Sequence, residues 1–210
     1  MRIVGGSLKG RALIAPSGNT TRPTSDRARQ AIFDMLVHAP WYGREALENA
    51  TVLDTYAGTG ALGIEALSRG VEHAAFIERD RNALNALRAN LTAFQLRDRS
   101  RVLSCSTTHP PRAERPYDLV FLDPPYGKNL VESGIAALRR TGWLAEGALI
   151  VAETGAKEDF VPPTPLTRHN ILAKALGNTE PDETNKPEIL AERRFGAAKV
   201  TIWKYSSIVS

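Results

Sequence analysis

Leu119-Val-Phe-Leu-Asp-Pro-Pro-Tyr126 is the stretch around which the rest of the chain is organised. Its four apolar residues predict a buried strand, which Pro124 and Pro125 end because proline lacks an N–H group and has a fixed φ. The turn then places a carboxylate, backbone carbonyls and an aromatic ring together. Such a set can hold a planar group that carries an amine, since the oxygens accept from N–H groups and the ring stacks on the flat face. A strand-ending turn with a buried tyrosine is the simpler interpretation of these residues alone.

Strands and helices alternate on both sides of this stretch. The predicted strands are 51–54, 74–77, 101–104, 117–122 and 148–152, and the predicted helices are 60–68, 81–93 and 130–140. Repeated βα units of this size indicate an α/β fold with a parallel sheet and right-handed crossovers. Ligands of such sheets bind at the carboxyl ends of the strands, where Asp54, Glu78 and Asp123 all fall. We call this edge of the sheet the rim and predict a site there.

The two ends of the chain differ from this alternating pattern. Residues 2–14 predict a short β-hairpin with a glycine-rich turn, and Thr24 is the expected cap of a helix that starts at Ser25 and stops before Pro40. Near the other end, 189–193 and 199–203 flank Gly196 and predict an antiparallel hairpin that closes the sheet edge.

The composition limits which classes of protein the chain can belong to. A chain of 210 residues that is 42% hydrophobic and 24% charged can bury one sizeable core. No apolar run approaches the ~20 residues of a membrane span, and the start MRIVGGSLKG lacks the apolar core of a signal peptide. Cys105 is the only cysteine, which excludes an internal disulfide and a thiolate zinc cluster. We therefore expect a cytoplasmic protein without a membrane partner and without a metal.

The positive charge is concentrated at the start of the sequence. The chain carries a formal net charge of +4, whereas residues 1–30 alone carry +5 and the remainder therefore −1. A basic end on a nearly neutral body suits a polyanion such as nucleic acid. A solvated basic surface without a partner is the alternative.

A glycine-rich loop joins the first core strand to its helix: Asp54-Thr-Tyr-Ala-Gly58-Thr-Gly60-Ala-Leu-Gly63. Its glycine spacing also matches the dinucleotide fingerprint, which would indicate an NAD-dependent oxidoreductase. However, the acid before the glycines disfavours a pyrophosphate and favours a cationic ligand such as S-adenosylmethionine, which carries a sulfonium and an amino group. Glu78, at the end of the next strand, can accept from both ribose hydroxyls of such a cofactor.

In this order, the glycine loop, Glu78 and Asp123-Pro-Pro-Tyr126 resemble the amino-methyltransferases of the Rossmann-like class. Three further stretches narrow the resemblance: Arg2-Ile-Val-Gly-Gly6, Thr21-Arg-Pro-Thr-Ser-Asp-Arg27 and Leu62-Gly-Ile-Glu-Ala-Leu-Ser-Arg-Gly70. Together they resemble the RsmD family, the bacterial 16S rRNA guanine-N2 methyltransferases that act at guanine 966. The resemblance covers about residues 1–155 and resumes near Arg193-Arg-Phe-Gly196.

The resemblance implies a Rossmann-like methyltransferase sheet of seven mostly parallel strands that ends in an antiparallel hairpin. It also implies that 21–26 helps to close the methionine end of the cofactor pocket. We divide the chain into an RNA-facing extension, 1–40, and a methyltransferase domain, 41–210, within one compact unit. Ser106 stands where the family usually has an acid near the adenine, so a hydroxyl or a carbonyl would read that base. The segment 157–188 looks longer than the family usually shows, and no role is assigned to it.

These inferences assign residues to three roles. The predicted catalytic residues are Asp123, Pro124, Pro125 and Tyr126. The predicted cofactor residues are Arg22, Thr24, Asp54, Ala57, Gly58, Gly60, Glu78, Arg79, Ser106 and Asp123. The residues predicted to contact RNA phosphates are Arg2, Lys9, Arg11, Arg22, Arg27 and Arg29.

The predicted reaction is methyl transfer from S-adenosylmethionine to the N2 amine of a guanine in 16S rRNA, within the small ribosomal subunit or its precursor. A flipped guanine would stack on Tyr126 while Asp123 and the Pro124 carbonyl accept from its amine. Three alternatives remain open: another base, such as DNA adenine or a different RNA guanine, or a protein glutamine as substrate; the oxidoreductase; and a non-catalytic RNA-binding assembly protein.

Overall fold

A seven-stranded sheet organises the protein, seen here in a computed structural model that describes residues 1–16, 25–127, 129–163, 166–167, 187–206 and 208–209. The strands are β1 Thr51–Thr55, β2 His73–Glu78, β3 Ser100–Ser104, β4 Tyr117–Leu122, β5 Leu144–Gly155, β6 Leu166–Thr167, β7 Ile189–Phe195, β8 Ala198–Lys204 and β9 Ile208–Val209. The helices are α1 Asp26–His38, α2 Arg44–Glu48, α3 Ala61–Ser68, α4 Arg81–Ala93 and α5 Leu130–Arg140.

The strand order in the sheet is β3-β2-β1-β4-β5-β8-β7. The five strands from β3 to β5 are parallel, and β8 runs antiparallel to both β5 and β7. The predicted parallel sheet with a closing antiparallel hairpin is therefore confirmed. The strands β6 and β9, which the sequence did not predict, pair with each other in a separate two-stranded sheet.

Successive residues of the central strands point to two different hydrophobic layers. One face of β1, with Val52, packs with α1, α3 and α4, whereas the other face, with Leu53, packs with α5. Both faces are buried, which explains why these strands are continuous apolar runs without alternation. No helix in the described part of the chain is both long and apolar enough to cross a bilayer.

Residues 1–14, the N-terminal arm, fold back on themselves as predicted. The backbone of Ile3 pairs with Arg11 and Gly10 at 2.9 and 2.8 Å, around a 3₁₀ turn at Gly6–Leu8. Only an isolated bridge between Arg2 and Ala12 reaches strand geometry, so the arm is a hairpin without full strands.

The first helices differ from the prediction in two details. Ser25 rather than Thr24 caps α1, since the Ser25 hydroxyl accepts from the Ala28 N–H at 3.1 Å and Asp26 is the first helical residue. Thr24 lies outside the described residues. The short helix α2 was not predicted, because five residues are too few to show a helical period.

Candidate functional site

Sheet register brings the predicted acids together at the rim. Thr55 of β1 lies between Ile77 of β2 and Leu122 of β4, so the next residue of each chain segment, Glu78 and Asp123, lies at one level. Asp54 lies one residue further inside. The carboxylates of Asp123 and Glu78 both raise the pKa of Asp54, which shows that the three acids share one electrostatic environment.

Asp54 lies beneath the glycine loop, which we define as residues 56–60. Its side chain is only 2% exposed, and its Oδ2 accepts from the Gly63 N–H at 2.8 Å. Burial raises the pKa of Asp54 well above its usual range, and the carboxylates of Asp123 and Glu78 add to this, whereas the Gly63 bond opposes it. The site therefore contains a carboxylate that is costly to keep charged.

The glycines of the loop and of the first turn of α3 have two different roles. A Cβ at Gly60 would lie 2.4 Å from Leu87 Cδ1, and one at Gly63 would lie 2.4 Å from the Phe76 ring, so both permit close packing of α3 against its neighbours. At Gly58, where φ is +55°, a Cβ would meet only the Tyr56 carbonyl oxygen, at 3.9 Å. The backbone at Gly58 is therefore open on the side where a side chain would stand.

Glu78 is held by backbone amides around the loop. Its Oε2 accepts from the Gly58 N–H at 2.8 Å, and its Oε1 accepts from the N–H groups of Arg79 and Asp80, both at 2.7 Å. A carboxylate offers about four lone-pair positions, so one position remains on Oε2. Glu78 thus fixes the loop, and acceptance from the ribose hydroxyls stays a prediction.

Tyr56 is a site residue that the sequence did not reveal. It has a φ of +56°, which is uncommon for a residue with a side chain, and its hydroxyl donates to the Leu130 carbonyl at 2.9 Å. Burial raises the pKa of Tyr56 to about 12. The bond joins the glycine loop to the start of α5, directly after the turn that contains Tyr126.

The remaining predicted cofactor residues lie around this loop or outside the described residues. Ala57 is buried, and its N–H donates to the Ile77 carbonyl at 3.1 Å, while Arg79 is exposed beside Glu78. The Ser106 hydroxyl lies 2.8 Å from that of Thr108, within a turn after β3. Arg22 lies outside the described residues, as Thr24 does.

The turn after β4 is tied to β5. Asp123 is half-buried, Pro124 is buried, and Pro125 and Tyr126 are exposed, with Tyr126 at 38%. The Tyr126 hydroxyl donates to Glu153, at the end of β5. These contacts leave the ring accessible while its hydroxyl end is fixed.

Two glutamates of this region were missed by the sequence analysis. Besides Glu153, Glu158 accepts from the Gly127 and Gly155 N–H groups at 2.9 and 3.2 Å, which joins the turn after β4 to the end of β5. A signal for Glu153 existed, because it follows the predicted strand 148–152 as Glu78 and Asp123 follow theirs.

The predicted RNA contacts divide into exposed and buried residues. Arg2, Lys9, Arg11 and Arg27 are exposed, and the Arg11 guanidinium lies 4.4 Å from the centre of the Phe94 ring. Arg29 is 0% exposed, so its prediction as a phosphate contact is wrong.

Arg29 instead belongs to a buried ion cluster, which we define as Asp26, Arg29, Glu65 and Arg69. Its guanidinium lies 2.9 Å from Asp26 Oδ1 and 3.5 Å from Glu65 Oε2 and also donates to the Arg2 carbonyl. Glu65 is fully buried, bonds Arg69 at 2.8 Å and accepts from the Val4 N–H at 2.9 Å. The cluster therefore joins α1 and α3 to the N-terminal arm.

Comparison with known proteins gives a consistent set of relatives. The model of the family described as Conserved hypothetical protein 95 matches residues 1–181. The Ribosomal RNA small subunit methyltransferase D of Escherichia coli (strain K12) is 38% identical over 165 residues, covering 79% of this chain and 79% of that protein. The protein of the same name from Haemophilus influenzae is 34% identical over 167 residues, covering 78% of this chain and 83% of that protein.

Solved structures agree with these relatives. The Escherichia coli protein yhhF has a TM-score of 0.73 and 31% identity, covering 99% of this chain and 98% of that chain. The Thermus thermophilus 16S rRNA N2 G1207 methyltransferase (RsmC), solved in complex with AdoMet and guanosine, has a TM-score of 0.60 and 18% identity, covering 90% of this chain and 44% of that chain. The predicted Rossmann-like methyltransferase fold is confirmed.

Proposed function

The chain belongs to the RsmD family, whose sequence model is described as Conserved hypothetical protein 95, and from that premise we propose that it methylates the N2 amine of a guanine in small-subunit rRNA. The observation that carries the proposal is the exposed Tyr126 ring beside Asp123, at a rim where Asp123 and Glu78 both act on Asp54 and where the backbone at Gly58 is open. Curated relatives named as rRNA methyltransferases support the substrate class.

The proposed cofactor is S-adenosylmethionine, and the chemistry of the rim fits it. A cationic sulfonium is favoured by the negative potential of Glu78 and Asp123, the same potential that raises the pKa of Asp54. Gly58 leaves space for close approach, and the remaining acceptor position on Glu78 suits a ribose hydroxyl. When bound, the cofactor supplies an electrophilic methyl group. The RsmC structure, which contains AdoMet, supports this assignment.

The proposed catalytic work of the chain is positioning. Tyr126 stacks on the guanine, and its hydroxyl bond to Glu153 fixes the ring before the base arrives. Asp123 and the Pro124 carbonyl accept from the N2 amine, which turns the nitrogen lone pair out of conjugation and toward the methyl group. No dedicated base is required, since the methylated amine can lose its proton to Asp123 or to water.

The proposed partner is 16S rRNA in the small subunit or its precursor, in the cytoplasm. Four exposed cations of the N-terminal arm and α1 support an interaction with phosphates: Arg2, Lys9, Arg11 and Arg27.

The proposal is tested by methyl transfer from labelled S-adenosylmethionine to small-subunit rRNA and particles from cells that lack this activity. The expected product is N2-methylguanosine at one position. Label on adenine or on protein would discard the guanine assignment, and NAD binding without transfer would favour an oxidoreductase. Binding of S-adenosylhomocysteine without any transfer would favour a non-catalytic assembly protein.

Replacement of Asp123 gives the most direct test of the mechanism. Asp123→Ala should lower turnover by about a thousandfold, at the upper end of the effect of removing one positioned hydrogen-bonding group, with a much smaller loss of cofactor affinity. Asp118→Ala is the matched control, because Asp118 lies at the opposite end of β4 and accepts from the Thr51 N–H and hydroxyl. Equal turnover of the two variants per folded molecule would contradict the role of Asp123.

A further inference from the structure

Asn90 is a fully buried polar residue on α4 whose side-chain amide makes three hydrogen bonds. Its Oδ1 accepts from the Ile14 N–H at 2.7 Å, and its Nδ2 donates to the Ile14 carbonyl at 3.1 Å and to the Thr59 carbonyl at 3.0 Å. Ile14 is the last residue of the N-terminal arm, and Thr59 lies in the glycine loop. One side chain therefore bonds both elements at once.

The position of Asn90 in the helix adds to this link. Leu87, one turn earlier on α4, occupies the space that a Cβ at Gly60 would need. The glycine loop thus rests on α4 at two successive positions, one apolar and one polar. A shift of Ile14 that left Asn90 in place would remove two bonds from a fully buried amide, so Ile14, Asn90 and the loop move together at the lowest cost.

A second buried side chain holds the arm without touching the loop. Ser68 of α3 accepts from the Leu8 N–H at 2.9 Å and donates to the Gly5 carbonyl at 2.6 Å. Like Asn90, it bonds an N–H group and a carbonyl of the arm. The described bonds of the Ser68 side chain are all to the arm, whereas Asn90 also bonds Thr59 of the loop. Ser68 therefore provides a matched control for the contact between Asn90 and Thr59.

We infer that Asn90 is a positioning residue that couples the end of the N-terminal arm, at Ile14, to the cofactor loop, so that the place of Ile14 sets the cofactor affinity and the cofactor in turn orders Ile14. The inference rests on the proposed function only in taking the glycine loop as the cofactor loop. Coupling of this kind is reciprocal. Phosphate contacts made by Lys9 and Arg11 on the arm would then affect the position of Gly58. The effect would pass through the bonds of Asn90 to Ile14 and Thr59.

The first test uses the unaltered protein and S-adenosylhomocysteine. Amide hydrogen exchange is measured at Ile14, held by Asn90, and at Leu8, held by Ser68, with and without the ligand. Exchange at Ile14 should slow by about fivefold or more, the lower end of common coupling factors, while Leu8 changes little. Unchanged exchange at Ile14, or equal slowing at both amides, would overturn the inference.

The second test compares S-adenosylhomocysteine affinity in Asn90→Ala and Ser68→Ala by calorimetry. Both variants lose buried bonds to the arm, but only Asn90→Ala should lower the affinity, by about fivefold or more. Equal losses, or no loss in Asn90→Ala, would overturn the coupling. Absence of binding in the unaltered protein would instead contradict the proposed cofactor, so the two failures are distinguishable.

Discussion

The buried ion cluster and the rim both bury carboxylates, but they balance the charge in opposite ways. Glu65 of the cluster faces the guanidinium groups of Arg29 and Arg69 at 3.5 and 2.8 Å. Asp54 of the rim is almost as buried, yet its hydrogen bond comes from the Gly63 amide, and the charged groups that shift its pKa are two other acids.

This difference separates a structural use of buried charge from a functional one. A carboxylate that is balanced within the chain fixes the relative position of the segments that supply its partners. Carboxylates grouped with one another keep a negative potential that a cationic ligand lowers on binding, which is why such groups mark functional sites. The rim thus carries an electrostatic cost at Asp54 that no cation in the described part of the chain is shown to offset.

The largest expected effect comes from removing the balance in the cluster. Glu65→Ala leaves Arg29 buried without one of its carboxylates and should lower the free energy of unfolding by about 3–5 kcal/mol, measured by denaturant unfolding. Glu48→Ala is the control, since its pair with Arg44 is exposed and should contribute no more than about 1 kcal/mol. Similar losses in the two variants would erase the distinction between buried and exposed pairs.

At the rim, removing a carboxylate is expected to raise the free energy of unfolding rather than lower it. The folded-state pKa of Asp54 is raised, so above the ordinary pKa of 3.8 the folded protein binds more protons than the unfolded chain. Its unfolding free energy therefore falls as the pH rises from that value toward the raised pKa. Asp54→Asn should remove this slope and stabilise the protein at neutral pH by about 1 kcal/mol, with weaker cofactor binding.

Unfolding measured between pH 4 and pH 8 checks this prediction. The stability advantage of Asp54→Asn over the unaltered protein should shrink as the pH falls toward the ordinary carboxyl range. Asp54 is then protonated in both the folded and the unfolded protein. If Asp54→Asn is less stable than the unaltered protein at neutral pH, burial of the Asp54 carboxylate does not destabilise the fold.

The smallest expected effect distinguishes an exposed arginine from a buried one on the same helix. Arg27 and Arg29 both lie on α1, but only Arg27 is exposed. Arg27→Ala should weaken rRNA binding several-fold and reduce the slope of log affinity against log salt by about 1, with stability unchanged. Arg29→Ala should instead destabilise the fold, as its buried bonds require. An unchanged salt slope in Arg27→Ala would remove that residue from the proposed RNA surface.

The sequence predicted the sheet well and the side chains of its edge only in part. The limits of β4, α4 and α5 match the prediction because apolar periodicity and proline positions are local signals. The bond from Asp54 to Gly63 could not be predicted, because an acid before a glycine loop can face either the ligand or the helix start. Tyr56 gave no signal, since its backbone conformation is imposed by the loop.

Arg29 shows the limit of reasoning from local charge. Counting cations near the start of the chain placed it on a basic surface, but its partner Glu65 lies far along the sequence and decides its burial. Asn90 did carry a signal that was overlooked. It lies three residues after Leu87 and one before Leu91, on the buried face of an amphipathic helix, where a polar residue needs a specific partner.

The place of β8 has a consequence for the synthesis of the protein. β8 lies between β5 and β7 in the sheet but follows both in the chain. A nascent chain that has just extended past β5 already contains the glycine loop and the rim acids, while β5 still presents an apolar, unpaired edge. Until residues 198–204 leave the ribosome, that edge is open to pairing with another chain, and the closing hairpin is what covers it.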